Sequence, residues 1–99
     1  MRFAFIFIND GLDGIERTSV RDGDSIFVGV RDLGEACMEA ARLESEGIGC
    51  IELCGAFGED GARAVMEATG MRVPVGYIVH LPEMDGVYEK AFGNGGGPL

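Results

Sequence analysis

Phe3-Ala4-Phe5-Ile6-Phe7-Ile8 is an unbroken apolar run of aromatic and β-branched character, closed by the polar turn Asn9-Asp10-Gly11. A run of this kind reads as a strand buried on both faces, and so as a central strand of a sheet. Residues 9–24 are acidic and glycine-bearing. Within them, residues 16–20 fit a short edge strand that a turn at Asp22-Gly23 joins to the next strand, residues 25–30. The period then lengthens. Asp32 suits a helix cap with Glu35 as its capping-box partner, and Leu33, Ala36, Cys37, Ala40 and Leu43 recur at helical spacing until Gly47 supplies a stop. Residues 32–46 are therefore expected to be helical.

Residues 47–80 read as a strand, a glycine-rich turn, a helix and a second strand. The first strand covers 48–54, and the helix covers 59–69 with Ala62, Val65, Met66 and Thr69 on one face and Gly70 as terminator. The last strand covers 73–79, where Pro74 is tolerable near a strand start or on an edge. This is a parallel βαβ unit. The pattern predicts an α/β fold: a small, mainly parallel sheet of four to five strands with two main helices, in the order β-β-α-β-α-β, forming one domain over residues 1–82. Residues 83–99 read as a C-terminal extension, with a helical turn or two up to residue 92 and a glycine-rich tail expected to be mobile.

Parallel crossovers are right-handed in nearly all known cases, so two crossovers running the same way along the sheet place both helices on one face. The other face is then bare, yet alternation sends it either Phe3, Phe5 and Phe7 or Ala4, Ile6 and Ile8. Neither set tolerates water well, which predicts a homo-oligomer assembled through the sheet face.

Composition bounds the partners. Seventeen acidic residues against eight basic ones give a formal net charge of −9. That balance repels phosphodiester backbones and anionic headgroups, so neither nucleic acid nor a membrane surface is expected as a partner. Only Met1 and Arg2 precede the first apolar run, which is too short for a signal segment or a membrane span, and a cytoplasmic location is expected. The three cysteines, Cys37, Cys50 and Cys54, lack the even framework of a secreted disulfide scaffold. Cys50 and Cys54 in one extended strand lie about 13 Å apart, too far for a disulfide.

The carboxyl ends of parallel strands are where open α/β sheets bind ligands. Here they bring together Asn9 and Asp10, Arg31 and Asp32, Glu52 and Cys54, and His80. The turn Gly55-Ala56-Phe57-Gly58, opening a helix, can cradle an anion with free N–H groups, or it can simply need glycine for a tight strand-to-helix turn. It lacks the Lys-Ser/Thr of a Walker A loop and the spacing of a dinucleotide-binding turn, and Glu59-Asp60 puts negative charge where a phosphate would sit. The predicted ligand-binding residues are thus Cys54, Gly55, Ala56, Phe57 and Gly58, with Asn9 and Arg31.

Three side chains qualify for catalysis. Glu52 is a carboxylate flanked by Ile51 and Leu53. It suits acid or base work if burial raises its pKa, and otherwise it is a solvated or arginine-paired carboxylate on the bare face. Cys54 at a strand end and His80 at the end of a neighbouring strand sketch a nucleophile and its base, although a small buried thiol and a surface histidine are commoner. No group of residues has metal-ligand spacing, and no cofactor or metal is predicted.

The first apolar run and the segments Gly47-Ile48-Gly49-Cys50-Ile51-Glu52-Leu53-Cys54-Gly55-Ala56-Phe57-Gly58 and Val73-Pro74-Val75-Gly76-Tyr77 resemble an uncharacterised family of short microbial α/β proteins, a domain of unknown function. The resemblance spans roughly residues 1–79. It implies the fold and directs attention to the I-E-L-C-G-x-F-G segment, without implying a substrate. The expected function is binding of a small metabolite, anions included among the candidates, at the carboxyl edge of the sheet by a homo-oligomer. The alternatives are a small enzyme using Glu52, or Cys54 with His80, and an interaction subunit using its apolar sheet face.

Overall fold

The computed structural model describes residues 1–93, and the glycine-rich tail beyond them lies outside the described residues. The chain forms β1 (Phe3–Ile8), β2 (Glu16–Val20), β3 (Ser25–Val30), α1 (Leu33–Ser45), β4 (Cys50–Leu53), α2 (Gly58–Ala68), β5 (Val75–Tyr77) and α3 (Asp85–Phe92), with a 3-10 turn before α2 and another before α3. The strands lie in the order β2-β3-β1-β4-β5. β1 is parallel to β3 and β4, and β4 is parallel to β5. β2 pairs antiparallel with β3 across the hairpin expected at Asp22-Gly23, so the sheet is mixed rather than simply parallel.

The two-helix expectation needs correction, because the extension after residue 82 carries a third helix, α3. Its amphipathic pattern is confined to eight residues, too short a stretch to outweigh the surrounding glycine and proline signals.

α1 forms where its caps place it. The Asp32 carboxylate accepts from the Glu35 N–H at 2.8 Å. The carboxylate of Glu35 reaches back in turn, but to the Arg31 N–H rather than to that of the cap residue. Ala36, Ala40 and Leu43 of α1 and Ala62 and Val65 of α2 are buried against Ile26, Val28, Val30, Ala4, Ile6, Ile51 and Leu53 of the sheet.

The crossovers β3-α1-β4 and β4-α2-β5 step along the sheet in the same direction, and both helices lie on one face. In β1 the consequence is direct: Ala4 and Ile6 are 0% and 1% exposed, whereas Phe3, Phe5 and Phe7 are 38%, 36% and 41% exposed. The open face carries Phe5 stacked on Phe27, with ring centroids 5.3 Å apart. Gly29 belongs to the same face. A Cβ there would meet the Phe7 ring at 3.0 Å, so the missing side chain is what lets Phe7 lie across β3.

The edge hairpin is held to α1 by charge. Glu39 is buried on α1 and lies 3.6 Å from both Arg17 of β2 and Arg42, and these two arginines also pair with Glu46. An isolated carboxylate in that position would be costly, and the two guanidiniums offset the cost.

Candidate functional site

The carboxyl edge of the sheet divides into two clusters. On the β1–β3 side, Asn9 Oδ1 accepts from the Gly11 N–H at 2.9 Å and closes the turn after β1. Arg31 is engaged by Glu35 through both guanidinium and backbone N–H donors, and its Nη1 donates to the Asp13 carbonyl at 3.4 Å. The Glu35 carboxylate raises the Arg31 pKa through the hydrogen bond and the ion pair, and Arg31 holds Glu35 below the usual carboxylate range. These two predicted site residues thus serve their own loops.

The β4–β5 side forms a cavity of about 150 Å³ that is open to solvent on one side, lined by Gly55, Gly58, Tyr77, Ile78, Val79, His80 and Tyr88. β4 ends at Leu53, and Cys54 leads into the 3-10 turn Gly55–Phe57, which α2 follows at Gly58. Phe57 is buried and anchors this turn in the core. Gly58 has φ 63° and ψ −175°, a region essentially closed to side chains, so the glycine is required for the turn itself. The absent side chains at 55 and 58 also leave the backbone reachable from the cavity.

The far wall comes from the segment after β5. His80 Nε2 lies 2.8 Å from Asp85 Oδ1, and the imidazole stacks on Tyr88 with centroids 3.9 Å apart and planes inclined by 12°. Asp85 and Tyr88 belong to α3, so the stack pins α3 to the carboxyl edge. Sequence reasoning passed over both. The spacing His80, Asp85, Tyr88 was the available signal, with i+3 placing Asp85 and Tyr88 on one side of a short helix.

The remaining candidates fall elsewhere. Cys54 is half-buried, packs against the core beside the 3-10 turn and does not line the cavity. That turn also separates it from the first residue of α2. His80 is held by Asp85, and no hydrogen bond joins it to Cys54 among the described residues. Glu52 lies on the open face in the row Phe27–Phe5–Glu52–Gly76. Its Oε1 accepts from the Cys50 thiol at 3.4 Å. Burial, and then this hydrogen bond, push the Cys50 thiol pKa up, and burial does the same for Cys37. The three thiols are free. No group of three or more potential metal ligands occurs among the described residues, and none of their helices is long and apolar enough to cross a membrane.

A five-stranded mixed sheet, helices on one face and a small cavity at its carboxyl edge define a single-domain α/β protein of the open-sheet kind. The chain belongs to DUF6506, a family of unknown function, whose model matches residues 1–93 and so takes in α3 as well as the segments that carry the resemblance. No curated protein and no solved structure matches it.

Proposed function

We propose that this protein is a cytoplasmic, homo-oligomeric module that binds a small metabolite at the carboxyl edge of its sheet, without chemistry of its own. The observation that carries the reading is the cavity between the Gly55–Gly58 turn and the His80–Tyr88 stack. Its volume of about 150 Å³ suits a molecule of roughly benzene size and is below the range of most drug-sized ligand sites. Ile78, Val79 and the Tyr77 and Tyr88 rings make most of the lining apolar, and the glycine backbone and the oriented imidazole add polar groups to it, which favours a compact ligand with one polar end. Glu59 and Asp60 at the start of α2, with the overall charge of −9, oppose a multiply charged phosphate and favour a neutral molecule or a monocarboxylate.

Native mass spectrometry of the protein as purified tests this reading. The expected result is a small-molecule adduct that a His80→Ala variant loses while remaining folded. A wild-type spectrum without adduct, or an adduct that persists in the variant, overturns the assignment of the cavity.

The His80–Asp85 hydrogen bond favours a second reading, in which a carboxylate-oriented His80 acts as a general base toward a molecule in the cavity. Ligand retention with loss of turnover in His80→Gln would support it. Glu52, on the open face, and Cys54, outside the lining, contribute less to that reading than the sequence alone suggests.

A further inference from the structure

Among the described residues, the open sheet face and the outer flank of α3 are two apolar surfaces that no other element covers. We infer that α3 of a second copy lies across the open face, placing Met84, Val87 and Lys90 over Phe27, Phe5 and Glu52. The inference rests on the homo-oligomeric reading above and names the element that completes the interface.

Spacing is the first argument. Phe27, Phe5 and Glu52 are directly paired neighbours on β3, β1 and β4, and therefore form a row across the strands. Strands lie about 4.8 Å apart, while residues three apart on an α-helix are separated by about 4.5 Å along its axis. Val87 and Lys90 follow that interval within α3, and Met84 precedes Val87 by three residues at the end of the 3-10 turn that leads into the helix, so α3 with its entry turn, laid across the strands, meets the row about one residue per strand.

Chemistry matches in the same order. Met84 just before α3 and Val87 within it are 42% and 57% exposed, and Phe5 and Phe27 form the stacked aromatic pair of the face. Beside that pair lies a dent of about 130 Å³ with Phe7 and Phe27 on one side and Glu16, Arg17 and Thr18 of β2 on the other, into which a flexible side chain such as Met84 can reach along the rings. At the other end of the row, Lys90 faces Glu52.

Charge complementarity carries the choice of a second copy. Six arginines form ion pairs within the chain, and Arg2 donates to the carbonyls of Gly23 and Glu46. Lys90 is the single lysine, is exposed, and has no ion pair among the described residues. Glu52 has one oxygen on the Cys50 thiol and the other toward Gly76, where there is no side chain. Tyr88, meanwhile, holds α3 at the carboxyl edge of its own chain through His80, so the free flank of α3 is presented outward. Two copies related by a two-fold axis can exchange this contact reciprocally.

The test is sedimentation velocity of the full chain with a charge-reversal cycle, Glu52→Lys, Lys90→Glu and the double variant. Far-UV circular dichroism establishes that each is folded. Both positions are accessible, and Glu52→Gln and Val87→Asp serve if a reversal fails to fold. The expected result is a wild-type dimer or larger species. Each reversal should raise the dissociation constant at least about tenfold, and the double variant should recover most of the loss. Single reversals that assemble like the wild type, or a double variant no better than the singles, overturn the α3 assignment and leave a homo-oligomer built another way. A monomeric wild type overturns both, including when the charge cycle still couples in thermal stability, since α3 then covers the face of its own chain.

Discussion

The two faces of this sheet are cut from the same strands and differ only in which alternate residues they receive. On one, Ala4, Ile6, Val28, Ile51 and Leu53 are sealed by α1 and α2. On the other, Phe3, Phe5, Phe7 and Phe27 form an aromatic surface that α1 and α2 leave open, with Leu12 reaching only its Phe7 end. Small aliphatic residues face the helices, where close approach is needed, and large rings face outward, where a single chain has least use for them. This inversion of the usual economy is understandable if the outer face is completed by another molecule, because exposed apolar patches of this kind commonly mark interaction surfaces.

Substitutions along β1 sharpen the contrast most. Ile6→Ala opens a cavity in a sealed layer and should cost about 2–5 kcal/mol in urea unfolding. Phe5→Ala removes more atoms, yet measured under dissociating conditions it should cost less than Ile6→Ala, because water already reaches the ring. Equal losses at the two positions would mean that the outer face is a core in its own right. Gly58→Ala comes next, at about 1–3 kcal/mol, from backbone strain at the turn below the cavity. It should leave assembly through the Phe face unchanged. Asp32→Ala removes the cap of α1 and should cost about 1 kcal/mol on the covered side alone.

The smallest effect is with pH. Glu35 titrates below the usual carboxylate range in the folded protein because Arg31 stabilises its charge. The folded state therefore binds this proton less readily than the unfolded chain, so the stabilisation is present above the unfolded carboxylate pKa and is lost as pH falls through the lowered folded value. Glu35 is half-buried, but solvent reaches the Arg31 guanidinium and screens the pair, which keeps the contribution slight. Arg31→Met should flatten the acid limb of a thermal-stability profile, and an unchanged limb would assign that limb to other carboxylates.

How much of this was legible in the sequence varies with the range of the interaction. α1 could be placed almost to the residue because its signals, Asp32, Glu35 and Gly47, are local. Bareness of one face followed from handedness once the crossovers ran the same way, but the strand order that decides the point depends on long-range pairing. The strand expected over residues 73–79 is only Val75–Tyr77. The chain leaves the sheet after Tyr77, and His80 therefore meets α3 rather than the end of β4. Arg31 looked available to a ligand because no pattern reveals that a cap's own glutamate will occupy it. Glu39, a charge on the buried face of α1, was hidden because its partner Arg17 comes from a strand across the sheet.

Sedimentation velocity of the wild type beside Phe5→Asp, across the micromolar range, tests the central claim most directly. The account predicts a wild type heavier than one 10.5 kDa chain and a folded Phe5→Asp variant at that single-chain mass. A wild type that stays at the mass of one chain at every concentration, or a Phe5→Asp variant that assembles as well as the wild type, would contradict it.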